Sequence, residues 1–207
     1  MTFAEPVTLT TLMLAAAGVG VVHTLAGPDH YLPLLAAARS NGWTTRRALL
    51  LTAMAGLLHC LASAALVPIA WWLTDGVARL AGVQDLRGDV MAWFCVGAGL
   101  ALCGMAWRRL RNGAPTTAGL RGWLLVAFVL GPCEWLIPNA LAATEGHGFL
   151  GALLVTMVFT LTTMATMSVC VGLGLRVLPA TLANWRLAPF LPGATLAACG
   201  AMVLAGL

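Results

Sequence analysis

The sequence contains no lysine and a single tyrosine, and only 9% of its 207 residues are charged. A soluble domain carries about 25% charged and roughly 45–50% apolar residues. At 60% hydrophobic, this chain has too few polar groups to cover a water-facing surface, so most of its solvent must be lipid. Other signals are missing as well. The six cysteines, at 60, 95, 103, 133, 170 and 199, all lie in apolar runs, and none form a Cys-x-x-Cys. That argues against a secreted disulfide framework. There is no phosphate-cradling glycine loop and no nucleophile elbow, so an ATP-driven pump or a hydrolase within this chain is unsupported. Residues 1–6 have no basic region and no small-residue cleavage site, and do not read as a signal peptide.

What is present is a series of long apolar segments. Residues 48–73 and 149–175 contain no Asp, Glu or Arg, and each exceeds the ~20 residues a spanning helix needs. Six segments emerge, at about 8–38, 46–73, 89–107, 122–143, 148–175 and 188–207. The first would be about 46 Å long as one helix, against a ~30 Å hydrocarbon core. It contains Gly27-Pro28, so a break is expected there.

The net charge of +4 would suggest nucleic acid in a soluble protein. Here the arginines flank membrane segments and read as topology signals, with no nucleic-acid partner expected. Arg39, Arg46, Arg47, Arg108, Arg109, Arg111, Arg121, Arg176 and Arg186 fall in loops 1–2, 3–4 and 5–6. The other side has only Arg79 and Arg87, with Glu5, Asp75, Asp85, Asp89 and Glu145. This asymmetry puts those three loops in the cytoplasm and both termini outside, in a plasma (inner) membrane.

Gly27-Pro28-Asp29-His30-Tyr31-Leu32 aligns with Gly131-Pro132-Cys133-Glu134-Trp135-Leu136 at an offset of 104. Leu49-Leu50-Leu51-Thr52 aligns with Leu153-Leu154-Val155-Thr156 at the same offset. Each copy spans three helices, repeat 1 over about 8–107 and repeat 2 over about 122–207. An odd number of spans per copy inverts one relative to the other, a plan common in transporters. The expected fold is therefore an all-α integral membrane protein, a single domain of two inverted three-helix repeats. Helices 1 and 4 are each broken at Gly-Pro.

Ionisable residues inside spanning helices are costly and mark functional sites. Counted from the nearest cytoplasmic arginine at ~1.5 Å per residue, His30 lies about 14 Å deep, His59 about 18 Å and Glu134 about 20 Å. Asp29 travels with His30 and Cys133 with Glu134. His23 is deeper unless the Gly-Pro break returns it. His23, Asp29, His30, His59, Cys133 and Glu134 are thus the candidate metal ligands. Imidazole, carboxylate and thiolate together suit Ni²⁺, Co²⁺, Zn²⁺ or Cu. Cys60, Cys95, Cys103 and Cys199 read as small packing residues. On helix 5, Thr156, Thr160, Thr163 and Met167 share one face. They read either as helix packing or as the polar lining of a pathway. Glu145 and His147 read as a solvated loop between helices 4 and 5.

His23-Thr-Leu-Ala-Gly-Pro-Asp29-His30 resembles the His/Asp-His signature of the nickel/cobalt transporter superfamily. Gly-Pro-Cys133-Glu134-Trp-Leu-Ile-Pro138 resembles the Gly-Pro-Cys element of its small six-helix branch, the urease-accessory or sulfite-exporter-like membrane proteins. Five residues separate His23 from Asp29 here, where the family has four. The resemblance implies a divalent-metal permease with His23, Asp29 and His30 as first ligands and His59 as a fourth.

The function expected is a secondary transporter carrying a transition-metal cation, Ni²⁺ or Co²⁺ first, through a midplane site. The bilayer and the metal ion would be its partners, and homo-oligomerisation is left open. A permease for a small anion or sulfur compound such as sulfite is an alternative, because broken-helix N-termini can face an anion. A metal-containing membrane enzyme or redox module is another.

Overall fold

The computed structural model describes residues 7–65, 77–112, 133, 135–179, 181 and 184–205, with backbone alone for 77–89, 91 and 112. Every regular element among them is helical: α1 (Leu9–Ala26), α2 (Leu32–Ser40), α3 (Thr45–Ala64), α4 (Val77–Asn112), α5 (Leu136–Val177) and α6 (Leu191–Leu204). Short 3₁₀ turns cover Pro28–His30 and Ala188–Phe190. Three helices, α1, α3 and α5, are long and apolar enough to cross a membrane. Their exposed faces carry large apolar side chains such as Leu14, Val22, Leu50 and Leu161. A water-soluble helix would place polar groups there, whereas lipid accepts these.

The elements start and stop where local chemistry requires. Thr8 Oγ1 accepts the Thr11 N–H and caps α1, and Thr44 Oγ1 accepts the Arg47 N–H and caps α3. α1 ends at Ala26 because Pro28 cannot donate to the next backbone bond and its ring would strike the preceding turn. The break expected at Gly27-Pro28 is thus present. The corresponding Gly131-Pro132, like residues 66–73 and 121–130, lies outside the described residues. α5 is two helical segments that meet at a kink at Gly148, whose φ of 65° and ψ of −165° are not helical. That kink stands where the sequence suggested a loop between helices 4 and 5. His147 sits just before it and donates from Nε2 to the Val7 carbonyl, 2.9 Å away. α4 runs further toward its N-terminus than the apolar pattern of 89–107, beginning at Val77.

The helices pack by small residues. α1 lies against α5, α3 against α5, α4 against α6, and α2 against α6. α1 buries Ala16, Gly20 and Thr24, three residues spaced four apart on one stripe, and a Cβ on Gly20 would fall 2.5 Å from Thr162 Oγ1. The α4–α6 contact is closer still. A Cβ on Gly99 would meet the Ala197 nitrogen at 2.5 Å and the Gly193 carbonyl at 2.6 Å, and one on Gly200 would meet the Ala92 carbonyl at 2.6 Å. Such backbone proximity supplies dispersion between helices, the kind of contact that joins helices where hydrophobic burial contributes little.

Gly97 gives an internal control, since a Cβ there meets nothing within 4 Å. Gly99→Ala is expected to cost about 1–3 kcal/mol through overpacking, and Gly97→Ala to be neutral or slightly stabilising. Reversible detergent unfolding of the two variants checks this. Equal stability would show that the α4–α6 approach is not tight.

Candidate metal centre

The site begins at the break after α1. The last backbone bond of that helix runs from Gly27 N–H to the His23 carbonyl, 2.9 Å. The chain then makes the Pro28–His30 turn and re-enters helix at Leu32. In a continuous helix His23 and His30 would be about 10 Å apart along the axis. Here their ring centroids are 4.4 Å apart, edge to face. Gly27 permits this fold-back. A Cβ at that position would fall 2.6 Å from His30 Nδ1 and 2.9 Å from Asp29 Oδ1.

His30 Nδ1 lies 3.0 Å from the Gly27 carbonyl and 3.1 Å from Asp29 Oδ1. Both partners are acceptors, so Nδ1 carries the proton. In a neutral ring the lone pair then sits on Nε2. That atom is buried and has no hydrogen-bond partner among the described residues. A carboxylate that holds one imidazole nitrogen and frees the other is the arrangement that orients metal-binding histidines. Asp29 is therefore placed as the support of His30, with its own side chain 39% exposed.

The second wall is α3. Its buried residues, Ala48, Thr52, Ala55, Gly56, His59, Cys60 and Ser63, form one helical stripe. His59 from this stripe meets His30 with ring centroids 5.0 Å apart. The third contribution is Cys133, just before α5. Its N–H donates to Ser63 Oγ at 2.8 Å, and its carbonyl accepts the Leu136 N–H at 3.1 Å. Its sulfur lies 3.6 Å from His23 Nε2. One ligand atom each from His23, His59 and Cys133 all lie within 4.8 Å of one another. This group could hold a metal ion. Two imidazoles and a thiolate form a borderline-to-soft set suited to divalent ions of the later first row.

A cavity of about 670 Å³ reaches the histidines. Its polar lining is His23, Asp29, His30 and His59, and the rest includes Cys95, Trp135 and small apolar residues of α1, α4 and α6. Polar ligands at the end of an apolar cavity are the arrangement of small-ligand sites generally.

Of the residues singled out from sequence, His23, His30, His59 and Cys133 come together, with Asp29 attached through His30. Glu134 lies outside the described residues. Thr156, Thr160, Thr163 and Met167 are not among the cavity-lining residues. Thr160 returns its hydroxyl to the Thr156 carbonyl at 2.8 Å. Thr163 and Met167 are fully buried, and Met167 packs with Leu34, Ala48 and Ala55. Sequence reasoning missed Ser63, which anchors Cys133, and took Cys60 for packing alone. Cys60 is in the core, in the same buried cluster as Cys133. The spacing His59, Cys60, Ser63 on one stripe was the available signal.

Comparison with protein-family models, with curated proteins and with solved structures returns no match.

Removing the support of His30 should weaken a bound ion. Asp29→Ala is expected to lower Zn²⁺ or Co²⁺ affinity of the purified protein by about 10–100-fold, the usual cost of losing such a partner. Titration calorimetry on the folded variant reads this. Unchanged affinity would remove His30 from the site.

Proposed function

We propose that this chain is a secondary transporter for a divalent transition-metal cation, bound as substrate by His23, His59 and Cys133, with His30 beside them. One observation carries the reading. Two imidazole nitrogens and a sulfur converge within 4.8 Å, and they come from α1, from α3 and from the residue region before α5, all apolar segments. Groups so costly to bury among apolar helices mark an ion pathway by default. The motifs around His23–His30 and Gly131–Pro138 resemble the nickel/cobalt superfamily and favour Ni²⁺ or Co²⁺. The ligand set itself also accepts Zn²⁺.

The architecture that goes with this reading is two inverted three-helix repeats in the inner membrane, with both termini outside. Support comes from the Gly-Pro recurrence, the arginine distribution and the break observed in the first repeat. Rocking of one repeat against the other would expose the ion to each side in turn. Metal ligands bind in their deprotonated forms, so protons compete with the ion and offer a means of coupling.

The test is flux into proteoliposomes of Ni²⁺, Co²⁺ and Zn²⁺, each measured separately. Wild-type protein is expected to move at least one of them. His23→Ala and His59→Ala should slow that flux at least tenfold, and Thr156→Ala should leave it near wild type. Variants that transport every tested metal at the wild-type rate would overturn the assignment, as would wild-type flux no faster than that of empty vesicles.

A further inference from the structure

Cys60 does more than fill space beside the metal ligands. It comes from α3 and Cys133 from the segment before α5, 73 residues later. Two independent observations bring them together. Ser63 is one helical turn beyond Cys60 on the same buried stripe, and its hydroxyl accepts the Cys133 N–H at 2.8 Å. Both residues are also 0% exposed and lie in one buried apolar cluster. Neither is in a disulfide. Of the other cysteines, Cys95 and Cys199 line the cavity on the α4 and α6 side, and Cys103 Sγ turns to the Phe190 carbonyl at 3.8 Å.

Cys133 therefore belongs to two groups. One is the trio with His23 and His59, and the other is the pair with Cys60. A metal-bound sulfur and a disulfide sulfur are alternatives, because the metal ligand is the anionic thiolate and oxidation to a disulfide removes that charge and leaves a poor donor. We propose that Cys60 and Cys133 form an oxidation site that closes to an intramolecular disulfide and withdraws Cys133 from the metal-binding trio. The mutual exclusion of disulfide and metal rests on the transport reading above, whereas the oxidation site stands on the two cysteines alone.

The co-reactant is a hydroperoxide, with hydrogen peroxide the smallest. The cavity of about 670 Å³ brings a molecule of that size to His23, whose Nε2 is 3.6 Å from the Cys133 sulfur. The Cys133 sulfur attacks one peroxide oxygen and the O–O bond breaks. One water leaves, carrying the thiol proton, and a sulfenic acid remains. The Cys60 sulfur then attacks the Cys133 sulfur. The S–O bond breaks, and the hydroxyl leaves with the Cys60 proton as a second water. Two thiols and one peroxide give one disulfide and two waters, and two electrons pass from sulfur to oxygen. A small thiol reverses the reaction by exchange.

The experiment treats the full-length protein in lipid nanodiscs with hydrogen peroxide and maps cysteine states by peptide mass spectrometry without reductant. The expected product is a Cys60–Cys133 linked peptide that dithiothreitol removes. In Cys60→Ser the link is lost, and Cys133 proceeds to sulfinic acid instead. Finding Cys60 and Cys133 still reduced after the half-exposed Cys103 and Cys170 have oxidised would overturn the site, as would a disulfide to any other cysteine.

Saturating Zn²⁺, with binding established separately by equilibrium dialysis, is expected to slow formation of the link at least tenfold. A link that forms equally fast on dialysis-proven zinc-loaded protein would overturn the mutual exclusion and leave metal binding intact. Absence of zinc in dialysis would overturn the metal reading and with it the exclusion, while the linked peptide alone would still decide the oxidation site.

Discussion

The structure around the candidate site depends on one constraint, the inability of Pro28 to continue α1. A proline has no N–H to give, and its ring excludes the carbonyl one turn back. The chain must therefore leave the helix, and Gly27, lacking a Cβ, lets the turn that follows fold tightly under the helix end. His30 swings back until its ring meets that of His23. Asp29, carried by the same turn, binds His30 Nδ1 and leaves Nε2 buried with no hydrogen-bond partner among the described residues. Without the break, the two histidines would lie two turns apart and their rings would not meet.

The rest of the molecule holds other walls to that turn. α3 offers one buried stripe on which small residues alternate with polar ones. Gly56 admits Met164 and Met167 of α5 at close range, and this proximity draws α3 against α5. The same stripe then delivers His59 to His30 and Ser63 to the Cys133 backbone. A buried N–H left unpaired would cost about 1–3 kcal/mol, so the Ser63 hydroxyl both satisfies and positions Cys133. The metal trio and the thiol pair share this one anchored sulfur. In the proposal above, that sharing is what sets redox state against metal occupancy at a single residue.

Much of the site was legible in the sequence because intramembrane polar residues are rare and therefore informative. His23, Asp29, His30, His59 and Cys133 stood out against an apolar background by type alone. Their roles were less legible. Asp29 reads as a ligand in sequence, but an aspartate next to a histidine can reach either the metal or the imidazole, and only the turn geometry chooses. Cys60 looked like any small core residue, since a cysteine's significance depends on what faces it from elsewhere in the chain. The threonine face of helix 5 was visible as a period, but a period does not say whether the face meets a cavity or another helix.

The sequence by itself determined the apolar character, the helical class and the place of the first break: few charges, segments long and apolar enough to cross a membrane, and a proline where no helix can continue. These are local or compositional properties, fixed before any two segments meet. The convergence of His23, His59 and Cys133, and the pairing of Cys60 with Cys133, were decided only by tertiary structure. They depend on which glycines let helices approach and on which face of each helix is turned inward. Both are set by contacts between residues tens to more than a hundred positions apart, which no spacing along the chain encodes.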